Sequence, residues 1–124
     1  MDSDLGHDPT VWKQLAEQLG MPGLIVPEEF GGSGAGRVAL GVALEEMGAA
    51  LLCAPYFATV ALAATLLMAG GDRRAQERHL PGIAAGTTIA TVAMNTAEPD
   101  RAPPGSGVVA EADGPRWRLT GTQP

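Results

Sequence analysis

The stretch VPEEFGGSGAG, from Val26 to Gly36, holds the residues that most resemble a piece of chemistry. Glycines after a short apolar run can cradle a phosphate when they follow G-x-G-x-x-G and open a helix whose free amides meet the anion. Gly32 and Gly34 begin such a frame, but Arg37 stands where its third glycine belongs, and a frame begun at Gly31 puts Ser33 in second place. Glu28 and Glu29, just upstream, would repel a phosphate. Ser33 is not a nucleophile elbow either: Gly31 precedes it correctly, but Ala35 follows where G-x-S-x-G needs glycine. The segment therefore reads as a turn-forming loop.

The remaining reactive side chains are scattered. His7, His79 and Cys53 show no ligand spacing of the C-x-x-C or H-x-x-x-H kind, which argues against a metal site. Glu45 and Glu46 are adjacent on an expected helix and so point in different directions, unlike an acid/base dyad. Arg73, Arg74, Arg78 and His79 could meet an anion, although a solvated helix face is the plainer reading.

The elements that must position these residues are helical first and extended later. Asp8 can cap a helix opened by Pro9, with Trp12, Leu15 and Leu19 on one face and Gly20 to end it. After the loop, a helix from Arg37 to about Ala50 carries Leu40, Leu44, Met47 and Leu51 at helical spacing. Pro55 opens a third helix, Tyr56 to Ala69, with almost no polar face, expected to be the best-covered element of the chain. Asp72 can cap a short polar helix through Gln76 and Arg78, interrupted by Pro81 and Gly82. Beyond Gly86, TTIATVAM, GVVAEAD and WRLTG read as strands, with a turn at Asp113–Gly114–Pro115 between the last two. These would make too small a sheet to stand alone, so the chain reads as a piece of a larger protein.

With 124 residues, one core is expected; 45% of residues are hydrophobic and only 4% aromatic, so that core must be built mainly from Ala, Leu, Val and Met. A formal charge of −6 and no concentrated basic face argue against nucleic acid. The single cysteine excludes an intrachain disulfide and fits a reducing compartment. The N-terminus has no basic segment followed by an apolar one, and the longest apolar run falls short of the roughly 20 residues that span a bilayer. A cytoplasmic protein without a membrane span is expected.

The order of motifs says more than any one residue. LAEQLGMPGLIVPEEFGGSG, VALEEMGAALLCAPYF, HLPGIAAGTTIATVAM and WRLTGT together resemble the N-terminal part of an acyl-CoA dehydrogenase, from Trp12 almost to the end of the chain. Matching that family in order are Leu19–Gly20, then Gly-Leu-x-x-Pro-Glu-Glu-x-Gly-Gly-x-Gly from Gly23 to Gly34, then Glu-Glu-x-Gly from Glu45 to Gly48.

The resemblance implies a mainly α fold: an N-terminal helical bundle over residues 1–86, followed by the truncated start of the middle β domain over 87–124. It makes the glycine loop a connection between packed helices. FAD is implied as cofactor, with Met94, Thr96, Ala97, Gly105 and Ser106 at the flavin-contacting positions around NTAEPDRAPPGSG. In that stretch Ala97 replaces the threonine whose hydroxyl bonds the flavin in the family, and Gly107 replaces an aspartate. Further along, Gln123 replaces a lysine. The family's catalytic base is a glutamate of its C-terminal helical domain, so no acid of this chain takes that role. Acyl-CoA is implied as substrate, an electron-transfer protein as acceptor, and a homo- or hetero-oligomer as the assembly. The alternative is a noncatalytic subunit or helical interaction module of the same family that has lost FAD binding.

Overall fold

In the computed structural model, residues 6–93 and 107–122 are described, and they fall into two separate units, a helical one ending at Val92 and a hairpin. Helix α1, Pro9–Glu17, begins as the sequence requires: the Asp8 carboxylate accepts from the Thr10 amide at 2.8 Å, and Pro9 takes the first position. A 3₁₀ turn, Met21–Gly23, leads into the glycine loop, which holds a second such turn, Glu28–Phe30. Helix α2 spans Gly36–Ala49. A π-helical stretch, Phe57–Ala64, continues into α3, Thr65–Ala69, and helix α4 covers Arg73–Ala84, capped by Asp72 on the Ala75 amide.

Two apolar clusters form the core of the helical unit. Trp12, Ile25, Leu40, Tyr56 and Val60 make one; Val26, Phe30, Ala64, Leu80, Ile83 and Ala84 make the other. Neighbouring residues Ile25 and Val26 enter different clusters, and so do Val60 and Ala64, one turn apart on the same helical run. The loop and the central helix therefore weld two small cores into one body. With so few aromatics, both cores rely on close approach of small side chains.

Several expectations from sequence need correction. Pro81 does not interrupt α4, which runs on to Ala84. A proline inside a helix costs roughly 3 kcal/mol, but Leu80 and Ile83 are fully buried beside it, and burying each such side chain stabilises by about 1.5–3 kcal/mol. Thr87 to Ala93, the described part of the first expected strand, has no strand partner among the described residues. It is held to the helical unit by hydrogen bonds from Thr87 and Thr88 to Gly82 and from Ala90 to Thr59. Leu19 and Leu51 lie beyond the helices they were expected to complete and are exposed; Leu51 adopts a positive φ.

The third helix is buried on one face only: Thr59, Val60, Ala63 and Ala64 are covered, while Phe57 is 57% and Leu66 56% exposed. Burial follows helical geometry here, because apolar residues on the far side of a helix meet no neighbour however hydrophobic the run.

In the second unit, β1, Gly107–Asp113, pairs antiparallel with β2, Arg116–Thr122, in the register Asp113↔Arg116 to Gly107↔Thr122. The turn falls at Gly114–Pro115 as the sequence indicates, and Arg118 closes an ion pair on Asp113 at 2.7 Å. Val108, Val109, Trp117 and Leu119 are at least half exposed. A two-stranded hairpin is marginal in water, so this unit needs further packing for independent stability.

Val60→Asp should unfold or aggregate the chain, because it places an unpaired carboxylate in a closed cluster. Leu66→Asp should stay soluble and melt within a few degrees of wild type. Equal loss of soluble yield and melting temperature for the two would contradict this packing.

Candidate functional site

The glycine loop is closed on itself. The amides of Ser33, Gly34 and Ala35 donate to the carbonyls of Gly23, Val26 and Leu24, each at 2.9 Å, and the Gly32 amide donates to Pro27 at 3.2 Å. Amides committed inward cannot also receive a phosphate. Gly32 is required for close approach: a Cβ there would collide with the Val26 carbonyl and lie 2.6 Å from the Gly23 carbonyl. Both oxygens are already fixed by the loop's own hydrogen bonds.

The two acids of the loop divide their work. Glu29 receives both terminal nitrogens of Arg73 at 2.9 and 2.8 Å, and Arg73 also donates from Nε to Glu77 at 2.9 Å. The guanidinium lies 4.7 Å from the centre of the Phe30 ring. The hydrogen bond from Arg73 holds the Glu29 carboxyl below its ordinary range, and Glu29 in turn raises the guanidinium pKa. These groups are exposed, so water screens the pair; it orients the loop against α4 more than it stabilises the fold. Arg73 is thereby taken out of the basic cluster considered for anion binding.

Two aromatic side chains anchor the segments that enter the loop and leave α4. Trp12 Nε1 donates to the Gly86 carbonyl at 2.8 Å, and the Tyr56 hydroxyl donates to the Met21 carbonyl at 3.2 Å. Burial pushes the Tyr56 phenol up to about 12.

Beside Tyr56, the end of α2 carries two adjoining hollows that share Met47 and Leu52. One, of about 380 Å³, is lined by Leu44, Leu51, Ala54, Tyr56 and Phe57; the other, of about 460 Å³, by Leu15, Leu19, Met21, Ala43 and Glu46. Their walls are nearly all apolar, with the Tyr56 hydroxyl already engaged. Such a groove can take an apolar group; the one carboxylate in its walls is Glu46, exposed on α2 beside Glu45. Among the described residues no cluster of three His, Cys, Asp or Glu could hold a metal.

Met94, Thr96, Ala97, Gly105 and Ser106 lie outside the described residues. Sequence reasoning missed Thr59, a fully buried hydroxyl that meets both backbone groups of Ala90. A lone threonine in an apolar helix carries no motif that could have signalled it.

The helical order, the inward-closed loop and the Glu-Glu helix agree with a family model, acyl-CoA dehydrogenase, N-terminal domain, which matches residues 1–87. The chain belongs to the acyl-CoA dehydrogenase family. It is similar to acyl-CoA dehydrogenase IpdE2 of Mycolicibacterium smegmatis, with 40% identity over 77% of this chain and 29% of that one. It is likewise similar to IpdE2 of Mycobacterium tuberculosis, with 34% identity over the whole chain and 39% of the relative. Among solved structures, a variant of the Tcur3481-Tcur3483 steroid ACAD superposes with a TM-score of 0.78 at 37% identity, covering 98% of this chain and 33% of that one. The chain thus spans about 29–39% of the length of these acyl-CoA dehydrogenases. No helix among its described residues is long and apolar enough to cross a membrane.

Gly32→Ala should destabilise this acyl-CoA dehydrogenase domain by about 2–3 kcal/mol, since neither carbonyl can retreat. Ser33→Ala, at an exposed neighbour, should be nearly silent; denaturant melts that fail to separate the two would refute the close packing.

Tyr56 gives a pH signature. Its folded pKa lies above the unfolded value near 10, so its contribution is whole below pH 10 and is lost as pH rises toward 12, to a total on the order of 2 kcal/mol. Tyr56→Phe should be less stable at neutral pH and flatter across pH 10–12; parallel curves would rule this out.

Proposed function

We propose that the chain forms the N-terminal part of an FAD-dependent acyl-CoA dehydrogenase that introduces a double bond between the α and β carbons of an acyl-CoA thioester, and that it works within an oligomer passing electrons to an acceptor protein. The observation that carries this reading is the superposition on the steroid ACAD across 98% of the chain, together with the family match over residues 1–87. A steroid acyl-CoA is accordingly the first substrate class to try.

The glycine loop does not fit the phosphates of FAD, because its amides are spent on Gly23, Leu24 and Val26. The flavin positions are therefore assigned to Met94, Thr96, Ala97, Gly105 and Ser106 on family resemblance. FAD, when bound, supplies the acceptor for the hydride leaving the β carbon. This chain's own residues would offer apolar cover for part of the acyl group in the groove beside Tyr56, and would exclude water there. None of its described carboxylates is placed as a base: Glu29 is tied to Arg73, and Glu45 and Glu46 are exposed. The α-proton is expected to pass to a glutamate supplied by the rest of the enzyme.

Ala97, which lacks the hydroxyl offered by the family's threonine, favours a second reading: a subunit that shapes the assembly and leaves FAD binding to its partner.

The purified 124-residue chain, with FAD in excess, should show no acyl-CoA-dependent reduction of a dye acceptor, since a positioned base alone is worth roughly 10² to 10⁴-fold. The assembly isolated through a tag on this chain should contain FAD and turn over a steroid acyl-CoA. Turnover by the isolated chain, or an assembly that neither holds FAD nor oxidises any acyl-CoA, would overturn the reading.

A further inference from the structure

The segment 87–92 runs without a turn or bend along the helical unit, and burial alternates along it: Thr88, Ala90 and Val92 are half-buried, whereas Thr87, Ile89 and Thr91 are exposed. A period of two is the pattern of a β-strand laid on a surface. In such a strand both backbone polar groups of a residue point to one edge, and those of its neighbours point to the other. One edge is already paired. The Thr88 amide donates to the Gly82 carbonyl at 3.0 Å, and Ala90 donates to the Thr59 hydroxyl at 3.2 Å and accepts from it at 3.1 Å. Thr59 has no exposed surface, so water does not compete for that tie.

The other edge is open. The amides and carbonyls of Ile89 and Thr91 have no hydrogen-bond partner among the described residues. Charged side chains and proline are what commonly keep such an edge from pairing, and TTIATV contains neither. All of its residues but Ala90 are β-branched, which favours the extended form a partner strand would need.

We propose that this edge is an interaction surface for a second copy of the chain, whose own segment 87–92 adds antiparallel beside it. The occupant follows from the symmetry of the free groups. With Ala90 facing its counterpart across a two-fold axis, Ile89 lies opposite Thr91 of the second copy, and Thr91 opposite its Ile89. These two pairs exchange four hydrogen bonds and use every free group of both residues, which no other antiparallel register of the two segments does. The contact is isologous, sets β-branched side chains against one another on the exposed face, and brings no like charges together within the strand pair. Each bond replaces one to water and is worth little by itself, so the dimer forms in a concentration-dependent way. The proposal goes beyond the enzymatic reading and uses neither the flavin nor the acyl assignment.

The test is sedimentation of the purified 124-residue chain at rising concentration, with hydrogen exchange read amide by amide. Exchange at the Ile89 and Thr91 amides should slow roughly tenfold as dimer forms, while the Ala90 amide, already held by Thr59, exchanges alike at every concentration. Thr91→Pro removes one free amide from each copy at a position where the backbone is extended, and should weaken dimerisation about tenfold. Ile89→Lys, which puts a charge on the edge, should weaken it too, and both variants should melt close to wild type in dilute solution. A chain that stays monomeric overturns the proposal. So does a dimer in which the Ile89 and Thr91 amides exchange as fast as in the monomer, as association through the exposed Trp117 and Leu119 would give, or a dimer equally strong in both variants. If Thr91→Pro fails to fold, Ile89→Lys and the wild-type amides decide the matter.

Discussion

The fold depends on how closely the glycine loop can lie against itself. Gly32 passes over the carbonyls of Gly23 and Val26 with no room for a side chain, and the amides of Ser33, Gly34 and Ala35 then lock onto the same short segment. This closure places Ile25 in one apolar cluster and Val26 in the other. Without it, α1 and α2 would share one small core while α4 packed on a second. A chain with so few large side chains cannot spare either cluster, because each contributes only modest apolar area.

Polar contacts then set the geometry that apolar packing leaves open. The Trp12 indole reaches the Gly86 carbonyl, tying α1 to the exit of α4, and the Tyr56 hydroxyl reaches Met21 at the entry to the loop. Thr59 does the same for Ala90. All three are side chains bonding to backbone, which suits a fold whose connections are irregular and whose carbonyls would otherwise be buried unpaired. Arg73, bridging Glu29 and Glu77 over the Phe30 ring, works at the surface and serves orientation.

For function, the same closure has a consequence. Glycines that resemble a phosphate cradle in sequence are used to let backbone pack on backbone. What the helical unit presents instead is an apolar groove by Tyr56 and Met47 and a tethered exit at Ala90.

The sequence by itself determined what depends on near neighbours. Asp8 and Asp72 cap their helices because a carboxylate reaches amides two or three residues on; Gly114–Pro115 turns the hairpin; and the serial order of short motifs marks the family. Tertiary structure alone decided the rest. Pro81 stays inside α4 because Leu80 and Ile83 are buried around it, against the local preference for a break. TTIATVAM has strand composition, yet its described part has no strand partner among the described residues, and the Ala90 amide bonds to the Thr59 hydroxyl instead. Leu66 is as apolar as Val60, but only Val60 faces a cluster. Propensity is a property of a few consecutive residues, whereas burial and hydrogen-bond partnership belong to segments far apart in the chain, which a local pattern does not encode.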